Sequence, residues 1–121
     1  MTILTDQFFD SFASSVQNVE DAETLPPLIY TDEEFYRFEK EALFYREWLC
    51  VGREEWLEKP GDFFTATHAN EPLVIARDRK GGIQAMSSVC QHRAMLVAEG
   101  QGNTRALVCP YHHWTYDLDG T

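Results

Sequence analysis

Two short runs, Cys90-Gln91-His92 and Cys109-Pro110-Tyr111-His112, each hold one Cys and one His, and the sixteen residues 93 to 108 separate them. Two thiolates and two imidazoles suit a metal, so a fold that uses them must bring two separate loops to one place. Zinc would accept all four side chains in a structural tetrahedral site. Zinc fingers, however, usually take both Cys from one knuckle and both His from another. Here the spacings are unequal, C-x-H and C-x-x-H, and each loop supplies one ligand of each kind. Mixed pairs argue against zinc.

The flanking residues, C-Q-H-R-A and C-P-Y-H-H-W-T-Y-D-L-D-G, closely resemble the Rieske signature of non-haem iron oxygenases, the family of the aromatic-ring-hydroxylating dioxygenase α subunits. The likeness continues upstream through L-I-Y-T-D-E-E-F, W-L-C-V-G and K-P-G-D. It implies a [2Fe-2S] cluster, with Cys90 and Cys109 binding one iron through sulfur and His92 and His112 binding the other through ring nitrogen. The chain departs from the pattern at His113, where most relatives have Gly, and at Ala94. Those positions shape the loops without ligating.

The resemblance further implies a reductase or ferredoxin as electron donor and a mononuclear non-haem Fe(II), in a catalytic domain outside these residues, as acceptor. One of His92 or His112 would contact a carboxylate of a neighbouring subunit there. Family members are commonly homo-oligomers, typically trimers, with or without small β subunits. A mononuclear oxygenase iron needs two His and a carboxylate. Beyond His92 and His112 only His68 and His113 remain, and His113 adjoins a ligand, so such a triad is not credible within this chain. His113 reads as a solvent or loop-packing residue, and His68 as an exposed residue at a strand end.

The formal net charge of -10 and pI near 4.7 disfavour nucleic acid or anionic membrane as partners. Acids spread over Asp32, Glu33, Glu34, Glu39, Glu41, Glu54, Glu55 and Glu58 read as a solubilising surface rather than a steering patch. Three Cys cannot form a disulfide framework, and Cys50, within Trp48-Leu49-Cys50-Val51, reads as a buried free thiol. No stretch approaches the roughly 20 apolar residues of a membrane span. The acidic N-terminus lacks a signal peptide's basic region, so a cytoplasmic address is expected.

The expected fold is mainly β with N-terminal helices: a helical extension over 1–47, then a Rieske-type small antiparallel sandwich or barrel over 48–121 with two cluster-binding loops. Phe8, Phe9, Phe12 and Val16 recur at helical spacing between Thr5 and Val19, with Asp6 available as a cap. Residues 18–27 read as a linker. Thr31-Asp32-Glu33-Glu34 fits a capping box, and Phe35, Phe38, Ala42 and Tyr45 continue a helical stripe to about Arg46. Strands are expected near 48–52, 62–67, 72–77 and 83–88, with turns at Pro60-Gly61, Asn70-Glu71 and Lys80-Gly81-Gly82. Leu107-Val108 enters the second loop and 115–118 leaves it.

Asp119-Gly120 is a hairpin signal followed only by Thr121, which predicts a domain incomplete at its C-terminal end and part of a longer protein. High-potential Rieske proteins of respiratory complexes carry an extra Cys in each loop and a Ser after the second. Met95, Tyr111 and Trp114 stand at those places, which predicts a low-potential centre with Tyr116 as a hydroxyl donor to a Cys sulfur. Trp114 reads as a shield for the cluster and Arg93 as a surface charge or loop donor. Two alternatives remain: a free-standing Rieske ferredoxin, which would begin almost directly with its first strand, and a zinc-stabilised interaction module.

Overall fold

The computed structural model describes residues 2–121. The chain divides into two compact units, the first ending at Leu49 and the second running Cys50–Thr121.

In the first unit, α1 (Asp6–Asp10) is capped by Thr5, whose hydroxyl accepts from Phe8 N–H at 3.2 Å, and not by Asp6. It spans five residues rather than the expected run to Val19, and Ala13–Val16 form a 3-10 turn that leaves Val16 exposed. A second 3-10 turn, Pro27–Tyr30, precedes α2 (Glu33–Glu39). Asp32 caps α2 alone, its carboxylate accepting from Glu34 and Phe35 N–H. The expected Thr31–Glu34 box does not form, because Glu34 instead accepts from Ile3 N–H at 2.9 Å. The helix then widens into a π turn over Lys40–Phe44. Phe8, Phe9 and Phe12 meet Phe35 and Phe38 edge-on or tilted at 5.4–6.1 Å, so the helical stripes pack as aromatic pairs.

In the second unit, β1 (Asp62–His68), β2 (Glu71–Arg77) and β3 (Ile83–Ser87) form a meander, and β4 (Gln101–Asn103) returns to the other side of β1, giving the order β3-β2-β1-β4. A separate hairpin pairs β5 (Leu107–Val108) with β6 (Thr115–Tyr116). All pairs are antiparallel, and among the described residues the sheets do not close into a barrel. The β1–β2 turn falls at Ala69-Asn70, one residue before the expected place, with both φ values positive as a two-residue hairpin of this hand requires. Gly61 is needed at its turn: its φ is +96°, and a Cβ there would lie 2.6 Å from the Thr104 carbonyl.

The strand expected at 48–52 is absent. No strand of either sheet pairs with this apolar run, and a 3-10 turn, Glu54–Trp56, follows it. Cys50 accordingly is exposed, not buried, its Sγ 3.7 Å from the Gly52 carbonyl. His68, expected to be exposed, is half-buried. Two cores flank the sheet. One joins Leu57, Phe64 and Ile75; the other joins Val74, Ala76, Val97, Leu107 and Leu118 to Cys90 and Cys109.

Candidate metal centre

The two Cys/His runs sit at the tips of two loops that are backbone copies of each other. The first, residues 90–95, is closed by a bridge between Val89 and Leu96; the second, 109–114, by the Val108–Thr115 pair. In the first, Cys90 N–H donates to the Met95 carbonyl at 2.8 Å and Ala94 N–H to the Cys90 carbonyl at 2.9 Å. In the second, Cys109 N–H donates to Trp114 at 2.8 Å and His113 N–H to Cys109 at 2.9 Å. The fifth residue of each loop must turn left-handed to close this pattern, and Ala94 (φ 56°) and His113 (φ 60°) both do. These are the two positions that the resemblance to the Rieske signature marks as departures. Unequal ligand spacing is therefore carried on loops of equal length.

Both Cys side chains belong to the core and are 2% exposed, whereas both His lie on the surface. The two Cys side chains share one buried cluster, and the two imidazoles meet edge-to-face at 4.7 Å between centroids. The four side chains thus come as a sulfur pair and a nitrogen pair. Among the described residues no three His, Cys, Asp or Glu converge on a point that one ion could occupy. A donor set split this way suits a two-iron centre with one pair per iron, rather than one tetrahedral ion.

The Tyr116 hydroxyl sits 3.2 Å from Cys90 Sγ, the contact expected from sequence. Its oxygen accepts from Gln91 N–H at 3.1 Å, which leaves its own proton for the sulfur. The Tyr116 bond, helped by the backbone N–H groups of His92 and Arg93, holds the Cys90 thiol below its usual pKa. The same contact raises Tyr116, since a proton donated to a thiolate is harder to remove. Around the imidazoles, Trp114 lies parallel to His92, 4.8 Å between centroids and 7° between planes, and Tyr111 covers His112 at 3.8 Å. Sequence reading assigned Trp114 a shielding role and missed this stack, because residue spacing says nothing about contacts between loops. His113 and Arg93 are exposed.

Residues 47–121 match the family model of the Rieske [2Fe-2S] domain. The chain is 39% identical over 102 residues to choline monooxygenase of Spinacia oleracea, and 40% identical over 102 residues to benzene 1,2-dioxygenase subunit alpha of Pseudomonas putida. Each match covers 84% of this chain and 23% of the relative, so the chain spans about a quarter of the length of these proteins. Among solved structures, the quaternary ammonium Rieske monooxygenase CntA superposes with a TM-score of 0.76 at 37% identity, over 83% of this chain and 28% of that one. Naphthalene 1,2-dioxygenase from Rhodococcus sp. gives 0.75 at 28% identity, over 95% and 26%.

Proposed function

Because this chain belongs to the Rieske [2Fe-2S] family and its relatives are Rieske oxygenases, we propose that it is the electron-entry portion of an oxygenase α subunit. Cys90, His92, Cys109 and His112 would hold the cluster. Electrons would come from a reductase or ferredoxin and leave for a mononuclear iron held outside these residues. The observation that carries the reading is the segregation of a buried sulfur pair from an exposed nitrogen pair on two matching loops.

Each side chain then has a physical task. Cys90 and Cys109 fix the inner side within the core, where solvent is excluded. His92 and His112 form the outer side, from which an electron can pass to a docked partner. Two thiolates and two neutral imidazoles bring half the negative charge of four thiolates, which favours uptake of an electron. The bound cluster would supply a one-electron acceptor and donor. Tyr116 and the loop N–H groups stabilise charge on Cys90. With Met95, Tyr111 and Trp114 in place of the loop disulfide and Ser donor, the centre belongs in the lower part of the roughly -150 to +300 mV Rieske range.

The α-subunit reading is favoured over a free-standing ferredoxin because the 102 matched residues exceed the 47–121 span and so reach into the N-terminal unit. Among the described residues no helix is long and apolar enough to cross a membrane. A cytoplasmic address and assembly with other copies of the α subunit belong to the same proposal, on the strength of the family alone. Relatives act on choline, benzene or quaternary ammonium compounds by their names, and the substrate of this protein is chosen outside these residues. The test is to express the chain and assay metal, colour and electron paramagnetic resonance. Two irons per chain, a red-brown colour and a Rieske signal on reduction are expected; a colourless protein holding one zinc would overturn the proposal.

A further inference from the structure

Resting on that cluster-binding reading, we propose that Trp114 is a positioning residue for His92: the indole of the second loop sets the ring plane of the imidazole on the first. A planar contact at 7° and 4.8 Å is an offset stack, the arrangement aromatic faces prefer. Burial does not enforce it, since Trp114 is 49% exposed. What enforces it is backbone. The Trp114 carbonyl accepts from Cys109 N–H, the preceding residue is fixed in the left-handed region, and the next residue enters β6. The indole therefore projects from a pinned position, and His92 contacts both the indole, in parallel, and His112, edge-to-face.

The two loops are unequal in this one respect. The residue matching Trp114 in the first loop is Met95, which is exposed and has no ring to offer. His112 is covered instead by Tyr111, its own neighbour. Both imidazoles are thus oriented by aromatic residues of the second loop. A ligand whose plane is fixed before it binds loses less freedom on binding, and neighbours that orient ligating His tune the metal as well as hold it.

The test separates orienting from shielding. Trp114→Phe keeps a planar face; Trp114→Leu keeps apolar bulk without one. The full chain with its cluster reconstituted would be reduced, and the two His nitrogen couplings read by pulsed electron paramagnetic resonance. Absence of a Rieske signal in the wild type would refute the cluster reading itself, and is distinguishable from everything that follows. In W114F both couplings are expected to match wild type; in W114L one of the two should shift or broaden, and Tyr111→Leu should disturb the other. If W114L fails to retain iron while W114F retains it, the proposal is equally supported. Wild-type couplings in W114L, or the same disturbance or loss of iron in W114F and W114L, would overturn it.

Discussion

Replacing Ala94 by Gly should stabilise the second unit although no contact is gained. Ala94 is exposed, so its methyl group packs against little, and its φ of 56° puts it in the left-handed region. Holding an L-residue there costs about 1–2 kcal/mol. Glycine removes that strain but adds about 0.4–1 kcal/mol of unfolded-state entropy. The net gain is about 0.5–1 kcal/mol, or about 3–6 °C for a unit the size of Cys50–Thr121. Thermal unfolding of the full chain followed by circular dichroism reads it directly. The control is Ala85→Gly, the same chemical change at an exposed site within β3, which should lose about 0.5–1 kcal/mol. His113→Gly should move in the same direction as Ala94→Gly but less far, since His tolerates positive φ better than most residues. If Ala94→Gly melts at or below wild type while Ala85→Gly behaves as stated, left-handed strain at the fifth loop position is refuted.

Tyr116→Phe removes the hydroxyl from Cys90 Sγ and should lower the cluster midpoint by on the order of 59 mV, tenfold in a one-electron equilibrium constant; a redox titration that finds no shift rules out this bond as a tuning element. Leu118→Ala, at a side chain 1% exposed in the core that holds both Cys, should cost about 2–5 kcal/mol in urea unfolding. Asp78 accepts from Gln84 Nε2 and from the N–H groups of Gly82 and Lys80, and these bonds hold its carboxyl below the ordinary 3.8. A depressed carboxylate contributes stability above the unfolded value near 3.8 and loses it as pH falls through the lower folded value. Asp78→Asn should therefore be less stable than wild type at pH 7, with the gap closing at acid pH; a deficit equally large at both would point to a steric cause.

The three meander strands and both loops were legible because apolar alternation, turn residues and ligand types all act over short range. Where the sequence misled, longer-range competition decided. Trp48-Leu49-Cys50-Val51 has strand composition, yet a strand exists only where another backbone pairs with it, and neither sheet supplies that partner here. Gln101-Gly102-Asn103 has no apolar signal and still becomes β4, because β1 pairs with its backbone and Gly102 leaves room for the Phe63 ring. Thr31 looked like a cap from spacing alone, but Asp32 offers a charged acceptor to two N–H groups and takes the role. The four proposed ligands were readable as residue types. The equality of the two loops was not, since it depends on six-residue closures that the C-x-H and C-x-x-H spacings conceal.

That equality bears on how stability and redox chemistry are coupled. The sulfur pair shares one core with Val74, Ala76, Val97, Leu107 and Leu118, so without metal the two Cys pack as small apolar residues. The proposed ligand set would therefore find its inner half already formed by folding of the sheet. Its outer half lacks that support: the imidazoles are exposed, and ring contacts with each other, Trp114 and Tyr111 hold them. A core substitution such as Leu118→Ala should then act on folding and on the sulfur side together, whereas substitutions at Trp114 or Tyr111 should leave the melting of the metal-free chain nearly unchanged and act on the nitrogen side. The inner half obeys the thermodynamics of the fold, and the outer half is free to be tuned, or docked against, without unfolding it.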